Sequence, residues 1–138
     1  MRAILSGGGT AGHINPAIAI AQKIKKEEPD SEILFVGTPN GMEAGLVKKA
    51  GFAFAAVEVQ GIHRSLSPKN ILHNINAVRC AVSAGPKTKK IISAFRPDIV
   101  IGTGGYVSGP VVRKAAQMGI LTAVHEQNAY PGVTNKIL

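Results

Sequence analysis

Short β-rich apolar runs, separated by segments long enough for helices, set the pattern of this 138-residue chain. The clearest runs are RAIL, EILFVG, DIVIG and ILTAV, and FAAVEV at residues 54–59 is a weaker fifth. Such runs are typical of strands buried on both faces of a parallel sheet, where helices cover each side. The alternation therefore predicts an α/β fold, a doubly wound parallel sheet of five or more strands.

The segments between the runs carry helix start and stop signals. Asn15 as a cap and Pro16 in the first turn predict where the first helix starts, and Pro29 ends it. Gly51 closes the second predicted helix. This second helix is predicted over residues 42–50, and further helices are predicted over residues 67–84, 87–95 and 110–118 and from residue 132 onward.

The bulk composition bounds the class of protein. With 45% hydrophobic residues the chain can bury one core, so a single domain is expected. No apolar run approaches the roughly 20 residues of a membrane-spanning helix, and the opening MRAIL leaves no room for a secretory signal. The single cysteine, Cys80, agrees with a reducing compartment. We expect a chain made in the cytosol.

The net charge of +8 favours an anionic partner. Residues 59–97 contain no Asp or Glu, although seven basic residues fall among them. Four Phe, two Tyr and no Trp are too few for the aromatic platforms of single-strand binders. No nucleic acid partner is therefore expected, and acidic lipid or a small phosphate is favoured.

Two glycine-rich loops share one layout. GGGTAGHINPA and GTGGYVSGP each follow a predicted buried strand and lead to a proline near a helix start. In the usual strand order 3-2-1-4-5, the first and fourth strands are neighbours at the point where ligands bind. Both loops should flank one crevice there. A third loop, HEQNAYPG, follows the fifth strand at the same edge.

The first loop satisfies the spacing of a dinucleotide fingerprint through Gly7, Gly9 and Gly12. The second strand ends in Gly37 and Thr38, however, and lacks the acidic residue that holds the ribose. The missing Gly-Lys-Ser/Thr sequence also excludes the P-loop NTPases. The remaining function is binding of a phosphate, or of an anion that develops during a reaction, at the helix N-terminus. The alternative is a tight turn that only lets helix and strand pack closely.

Three side chains are candidates for chemistry. His13, near a helix N-terminus, can take a proton from a hydroxyl, although a packing role is the alternative. Glu126 is the candidate carboxylate, and the amide of Asn128 suits sugar hydroxyls. His63 and His73 have no partners at metal-ligand spacing, so no metal site is expected.

The segments GGGTAGHINPA, GTPNGMEAGLV, IGTGGYVSGP and HEQNAYPGVTNK together resemble the MurG family of bacterial peptidoglycan glycosyltransferases. The resemblance runs from Ile4 to Lys136 and covers the amino-terminal half of that family. Its members have two Rossmann-like domains in the GT-B arrangement. Residues 1–138 are then the acceptor-binding domain, and the carboxy-terminal domain for the UDP-sugar is absent from this chain.

The resemblance implies an inverting transfer of N-acetylglucosamine from UDP-GlcNAc to the C4 hydroxyl of lipid I, which forms lipid II. It implies no cofactor and leaves help from a divalent ion open. The separate domain is expected to be inactive. The implied catalytic residues are His13 and Glu126.

The resemblance also assigns binding roles along the loops, with Ala11 departing from the glycine common at that position in the family. One set approaches UDP-GlcNAc: Thr10, Ala11, Gly12 and Asn128. The other meets the diphosphate of the acceptor: Gly104, Gly105, Tyr106 and Ser108.

The acid-free segment corresponds in the family to a patch that docks on the cytoplasmic face of the cell membrane. A peripheral protein that binds anionic inner-leaflet lipids is implied. A stripe facing the core is the commoner explanation of the same helical spacing. The patch residues are Lys69, Ile71, Ile75, Val78, Arg79 and Val82.

Two other functions remain open at this stage. One is a separate binding module for a phosphorylated or diphosphate ligand, completed by a second chain. The weaker one is a nicotinamide-binding domain. A gene that continues past Leu138 with a second glycine-rich Rossmann domain favours the transferase.

Overall fold

The computed structural model describes residues 1–59, 85–130 and 135–136. The strands are β1 (Arg2–Ser6), β2 (Glu32–Gly37), β3 (Ala53–Ala56), β4 (Ile99–Gly102) and β5 (Leu121–Val124). The helices are α1 (Ala11–Glu27), α2 (Met42–Lys49), α3 (residues 85–95) and α4 (Ser108–Gln117). None of these described helices is long and apolar enough to cross a bilayer.

The five strands form one parallel sheet in the order β3-β2-β1-β4-β5. The central strand β1 pairs Ile4 with Leu34 of β2 on one side and with Val100 of β4 on the other. The predicted fold class and strand order are confirmed. All five carboxyl ends therefore meet at one edge, and the loops after β1 and β4 are neighbours there.

A hydrophobic cluster lies on each face of the sheet, because successive residues of a strand point to opposite sides. Ile4 faces the cluster that includes Ile92 of α3 and Val111 of α4. Ala3 and Leu5 face the cluster that includes Ala17 of α1 and Val47 of α2. Burying a side chain such as Ile4 stabilises the fold by about 1.5–3 kcal/mol.

The first helix starts earlier than the sequence predicts. Thr10 is its N-cap residue, and the N–H groups of His13 and Ile14 both donate to the Thr10 carbonyl. Asn15 is therefore not the cap, and Pro16 lies inside the helix instead of starting it. The early start buries Ile14 completely. It also places His13 in the first turn, at the ligand edge of the sheet.

The other element predictions differ only at their ends. The third strand stops at Ala56, although the run was predicted to continue to residue 59, and α4 begins two residues before Pro110. The predicted helix over residues 67–84 lies outside the described residues. Of the final predicted helix, only residues 135–136 are described, and they are helical.

Gly51 ends α2 as predicted, in a left-handed conformation with φ of 83°. Its N–H donates to the Lys48 carbonyl, and the Phe52 N–H donates to the Val47 carbonyl. These two bonds form the Schellman motif, which satisfies the last carbonyls of a helix. The chain can then turn directly into β3.

Two glycine substitutions near this helix end should have opposite effects on stability. Nothing lies within 4 Å of a Cβ added at Gly45 or at Gly51, so backbone conformation alone decides the outcome. Gly45→Ala, inside α2, should stabilise the protein by about 0.5–1 kcal/mol. Gly51→Ala should destabilise it by about 1–2 kcal/mol, because a Cβ disfavours positive φ. Urea unfolding measures both, and equal effects would contradict the helix end described here.

Candidate functional site at the carboxyl edge of the sheet

The two glycine-rich loops pack directly against each other. The Gly8 N–H donates to the Gly104 carbonyl at 3.3 Å. Gly105 has φ of 82°, and a Cβ added there would collide with the Gly8 carbonyl. A larger residue at position 105 would therefore separate the loops. This close approach explains the glycines on packing grounds, before any ligand is considered.

The N-terminus of α1 opens onto the same edge. Thr10, Ala11 and Gly12 are exposed, and no side chain caps the helix. No acidic residue occupies its first turn. The partial positive charge of the helix end is thus available to an anionic ligand.

His13 is held by the loops that follow β4 and β5. Its imidazole lies against Gly104, where an added Cβ would be 2.7 Å from Nδ1. The Thr103 hydroxyl donates to the His13 carbonyl at 2.6 Å. The amide of Gln127 meets Nδ1 at 2.6 Å. Contacts to the ring and to the backbone therefore place His13 at the crevice between β1 and β4.

Glu126 and Asn128 are brought together at the corner after β5. One carboxylate oxygen of Glu126 accepts from the Asn128 backbone N–H at 3.0 Å and from its side-chain amide at 2.8 Å. The other carboxylate oxygen accepts from the side-chain amide of Asn135 at 3.0 Å. The same Asn135 amide also donates to the His125 carbonyl. In this structure Glu126 organises the corner that carries Gln127. Its catalytic role stays a prediction.

Residues of the second loop point in different directions. Tyr106 is 37% exposed, and its ring lies over Gly9 of the first loop. The side chain of Ser108 is completely buried and faces Gly102. Its hydroxyl has no hydrogen-bond partner among the described atoms. No part of Ser108 is therefore exposed to a ligand in this structure.

A buried carboxylate supports the first loop from beneath, and the sequence predictions missed it. Glu43 is 1% exposed, and its Oε1 accepts from the Thr38 N–H at 2.8 Å and the Thr38 hydroxyl at 2.6 Å. The carboxylate lies where a Cβ at Gly8 or Gly41 would stand. Glu43 lies in the first turn of α2, and no local sequence pattern indicates that it is buried beneath the first loop.

Gln127 and Thr103 lie in the predicted loops, but the sequence predicts no contact of either residue with His13. Both contact His13 from loops about 100 positions further along the chain. Their only sequence signal is position, because each directly follows or lies close behind a predicted strand end.

A second concavity lies on the β2–β3 side of the first loop. This open cleft of about 320 Å³ is lined by Thr38, Pro39, Asn40, Gly41, Glu58, Val59 and Tyr106. Tyr106 thus contacts the first loop and also borders this cleft.

Two sequence predictions are not decided by the described part of the chain. The basic and apolar residues of the proposed membrane patch, from Lys69 to Val82, lie outside it. Across residues 1–59, 85–130 and 135–136, no three His, Cys, Asp or Glu side chains group as metal ligands.

With this geometry in place, comparison with known proteins identifies the family. Residues 3–138 match the glycosyltransferase family 28 N-terminal domain. The chain belongs to glycosyltransferase family 28. Since the match covers nearly the whole chain, all three loops at the carboxyl edge lie within the family domain.

Family 28 relatives with a stated activity align along the whole chain. A protein of Leuconostoc citreum is 56% identical over 138 residues, and one of Listeria monocytogenes is 50% identical. Both are UDP-N-acetylglucosamine–N-acetylmuramyl-(pentapeptide) pyrophosphoryl-undecaprenol N-acetylglucosamine transferases. The alignment covers 100% of this chain but only 36% and 37% of those proteins.

Solved structures agree with the fold of the family 28 domain. MurG of Acinetobacter baumannii superposes on 99% of this chain with a TM-score of 0.81 and 29% identity, covering 38% of its own length. The calicheamicin glycosyltransferase CalG4 superposes with a TM-score of 0.64 at 16% identity, which shows the fold alone. These comparisons confirm the resemblance to MurG and the predicted fold, the amino-terminal half of a GT-B glycosyltransferase. They do not favour a separate binding module.

Proposed function

We propose that this chain is the acceptor-binding amino-terminal domain of an N-acetylglucosaminyltransferase of peptidoglycan synthesis. The complete protein would transfer N-acetylglucosamine from UDP-GlcNAc to the C4 hydroxyl of lipid I and so form lipid II. The carboxy-terminal domain would hold most of the nucleotide sugar. The observation that carries the proposal is the position of His13, in the first turn of α1 and between the loops after β4 and β5.

His13 acts as the general base in this proposal. As the C4 oxygen of the acceptor attacks the anomeric carbon, its proton passes to a ring nitrogen of His13. A bond forms between that oxygen and the anomeric carbon, and the bond from this carbon to the diphosphate of UDP breaks. UDP leaves with the electron pair, and because the hydroxyl attacks from the face opposite UDP, the configuration at the anomeric carbon inverts.

The exposed N-terminus of α1 stabilises the negative charge that develops on the leaving diphosphate. Thr10, Ala11 and Gly12 form this end of the helix, and no acidic residue in the first turn opposes the charge. Electrostatic stabilisation of this kind acts where charge appears in the transition state. The donor diphosphate is therefore assigned to the first loop.

The second loop and the β5 corner receive the sugars and the acceptor diphosphate in this proposal. Gly104, Gly105 and Tyr106 offer backbone amides and a phenol at the crevice, whereas the buried Ser108 is assigned no contact. Asn128 would contact the transferred sugar, with Glu126 holding its side-chain amide in place. Glu126 thus contributes by shaping the corner.

His13→Ala should lower turnover more than it weakens substrate binding. Loss of a general base costs about 10²–10⁴-fold in rate. In the complete protein we expect a fall of that size in kcat for transfer to a lipid I analogue, with little change in the KM for UDP-GlcNAc. Lys23→Ala, on the exposed face near the other end of α1, is the matched control and should leave kcat unchanged. A His13→Ala enzyme with full turnover would remove His13 from the chemistry.

The complete protein is also proposed to bind the cytoplasmic membrane face peripherally. The net charge of +8 and the absence of Asp and Glu from residues 59–97 support this localisation. Basic residues attract anionic lipid, and apolar residues among them add buried area. Lys69 and Arg79 are the assigned basic residues of the patch.

Binding to vesicles tests the localisation. Sedimentation with phosphatidylcholine vesicles should increase when phosphatidylglycerol is added and should decrease with salt. Each of Lys69→Gln and Arg79→Gln should weaken binding by about fivefold, the equivalent of about 1 kcal/mol. Lys23→Gln, which removes the same charge from α1, should have a smaller effect. Binding that responds to neither lipid charge nor salt would contradict the proposal.

A further inference from the structure

The side-chain amide of Gln127 meets the imidazole of His13 across 114 positions of sequence. The two side chains come from different elements, since His13 lies in the first turn of α1 and Gln127 lies in the corner after β5. Their contact joins Gln127 Nε2 to His13 Nδ1 at 2.6 Å. The proposed function gives Gln127 no role, although this is the shortest polar contact that the ring makes among the described residues.

The surroundings of the ring leave its orientation to this one contact. Gly104 lies against the imidazole, where only a residue without a side chain fits. The Thr103 hydroxyl donates a hydrogen bond to the backbone carbonyl of His13. Neither interaction decides which ring nitrogen carries the proton, because neither is a polar contact to a ring nitrogen. The amide of Gln127 does contact a ring nitrogen, so the end that it presents to Nδ1 selects the tautomer.

We infer that Gln127 is the positioning residue that sets the orientation and tautomer of His13 for proton transfer. The inference rests on the proposed role of His13 as base. When the amide oxygen of Gln127 accepts from Nδ1–H, the lone pair of the neutral ring is on Nε2. That nitrogen can then take the proton of the acceptor hydroxyl.

An amide can serve both tautomers of the ring. With its nitrogen end toward Nδ1, as in the structure, the ring proton is on Nε2 and Nδ1 accepts the hydrogen bond. A half-turn of the amide presents Oε1 to Nδ1 and moves the neutral ring to its reactive tautomer. The same oxygen then keeps its hydrogen bond from Nδ1–H when Nε2 becomes protonated.

The neutrality of Gln127 distinguishes it from the carboxylate that orients histidine in many hydrolases. A carboxylate would stabilise the charged imidazolium, so a larger fraction of the rings would already be protonated near neutral pH. A protonated ring cannot take the proton of the acceptor. The titratable side chains on the same loops are Tyr106, His125 and Glu126. The Glu126 carboxylate accepts from Asn128 and Asn135.

Two substitutions at position 127 separate charge from shape. Gln127→Glu keeps the length and supplies an acceptor for Nδ1–H, but adds a negative charge. Gln127→Met keeps the approximate size and removes the hydrogen bond. Gln117→Glu makes the same chemical change on α4, where Gln117 accepts from Lys114, and is the matched control. All are made in the complete protein.

NMR titration of the His13 ring tests the inference independently of activity. In Gln127→Glu the midpoint of the ring titration should move to higher pH by about one unit, because a carboxylate would adjoin the imidazolium. Gln127→Met should change the ratio of the two neutral tautomers. Gln117→Glu should do neither. An unmoved midpoint in Gln127→Glu, or an unchanged tautomer ratio in Gln127→Met, overturns the inference.

The pH dependence of kcat/KM for sugar transfer then tests the use of the pair in catalysis. The acid limb should move upward in Gln127→Glu in parallel with the NMR midpoint, and turnover should recover above the new limb. Gln127→Met should lose about tenfold or more in kcat at every pH, with KM little changed. A ring titration that moves while the acid limb stays fixed would refute His13 as the base, and with it the proposed mechanism.

Discussion

The contact between the two glycine-rich loops is the constraint on which the site depends. The Gly8 N–H donates to the Gly104 carbonyl, and Gly105 fits against Gly8 only because it has no side chain. This approach is possible because β1 and β4 are adjacent and parallel, so that their loops leave the sheet at one edge. A residue with a Cβ at position 105 would separate the loops and open the crevice.

The roles proposed for His13 and Gln127 depend on this contact between the two loops. Gly104 forms the surface on which the His13 ring lies, and Thr103 bonds the backbone of the same residue. The β5 corner, organised by Glu126, completes the environment through Gln127. The early start of α1 matters equally, because it places His13 in the first turn, beside the positive end of the helix dipole.

The sequence predicted the sheet better than the side-chain contacts. Alternating periodicities, which are local signals, indicated the strands and helices, and the usual order of doubly wound sheets then gave the strand order and the crevice. The start of α1 was misplaced because Asn15-Pro16 has the form of a helix start. Burial of Ile14 and the bonds to the Thr10 carbonyl outweigh that local preference. Gln127 and Glu43 escaped prediction because their roles depend on which loops meet, a property of the tertiary fold.

The central claim is that His13 faces the hydroxyl that attacks the donor sugar. A structure of the complete protein with UDP and a soluble acceptor analogue tests it most directly, through the distance from His13 Nε2 to the acceptor C4 oxygen. The account predicts hydrogen-bond reach, about 2.6–3.2 Å, with the Gln127 amide on Nδ1. An acceptor bound instead in the cleft between Tyr106 and the loop after β2, with its C4 hydroxyl out of reach of His13, would contradict it.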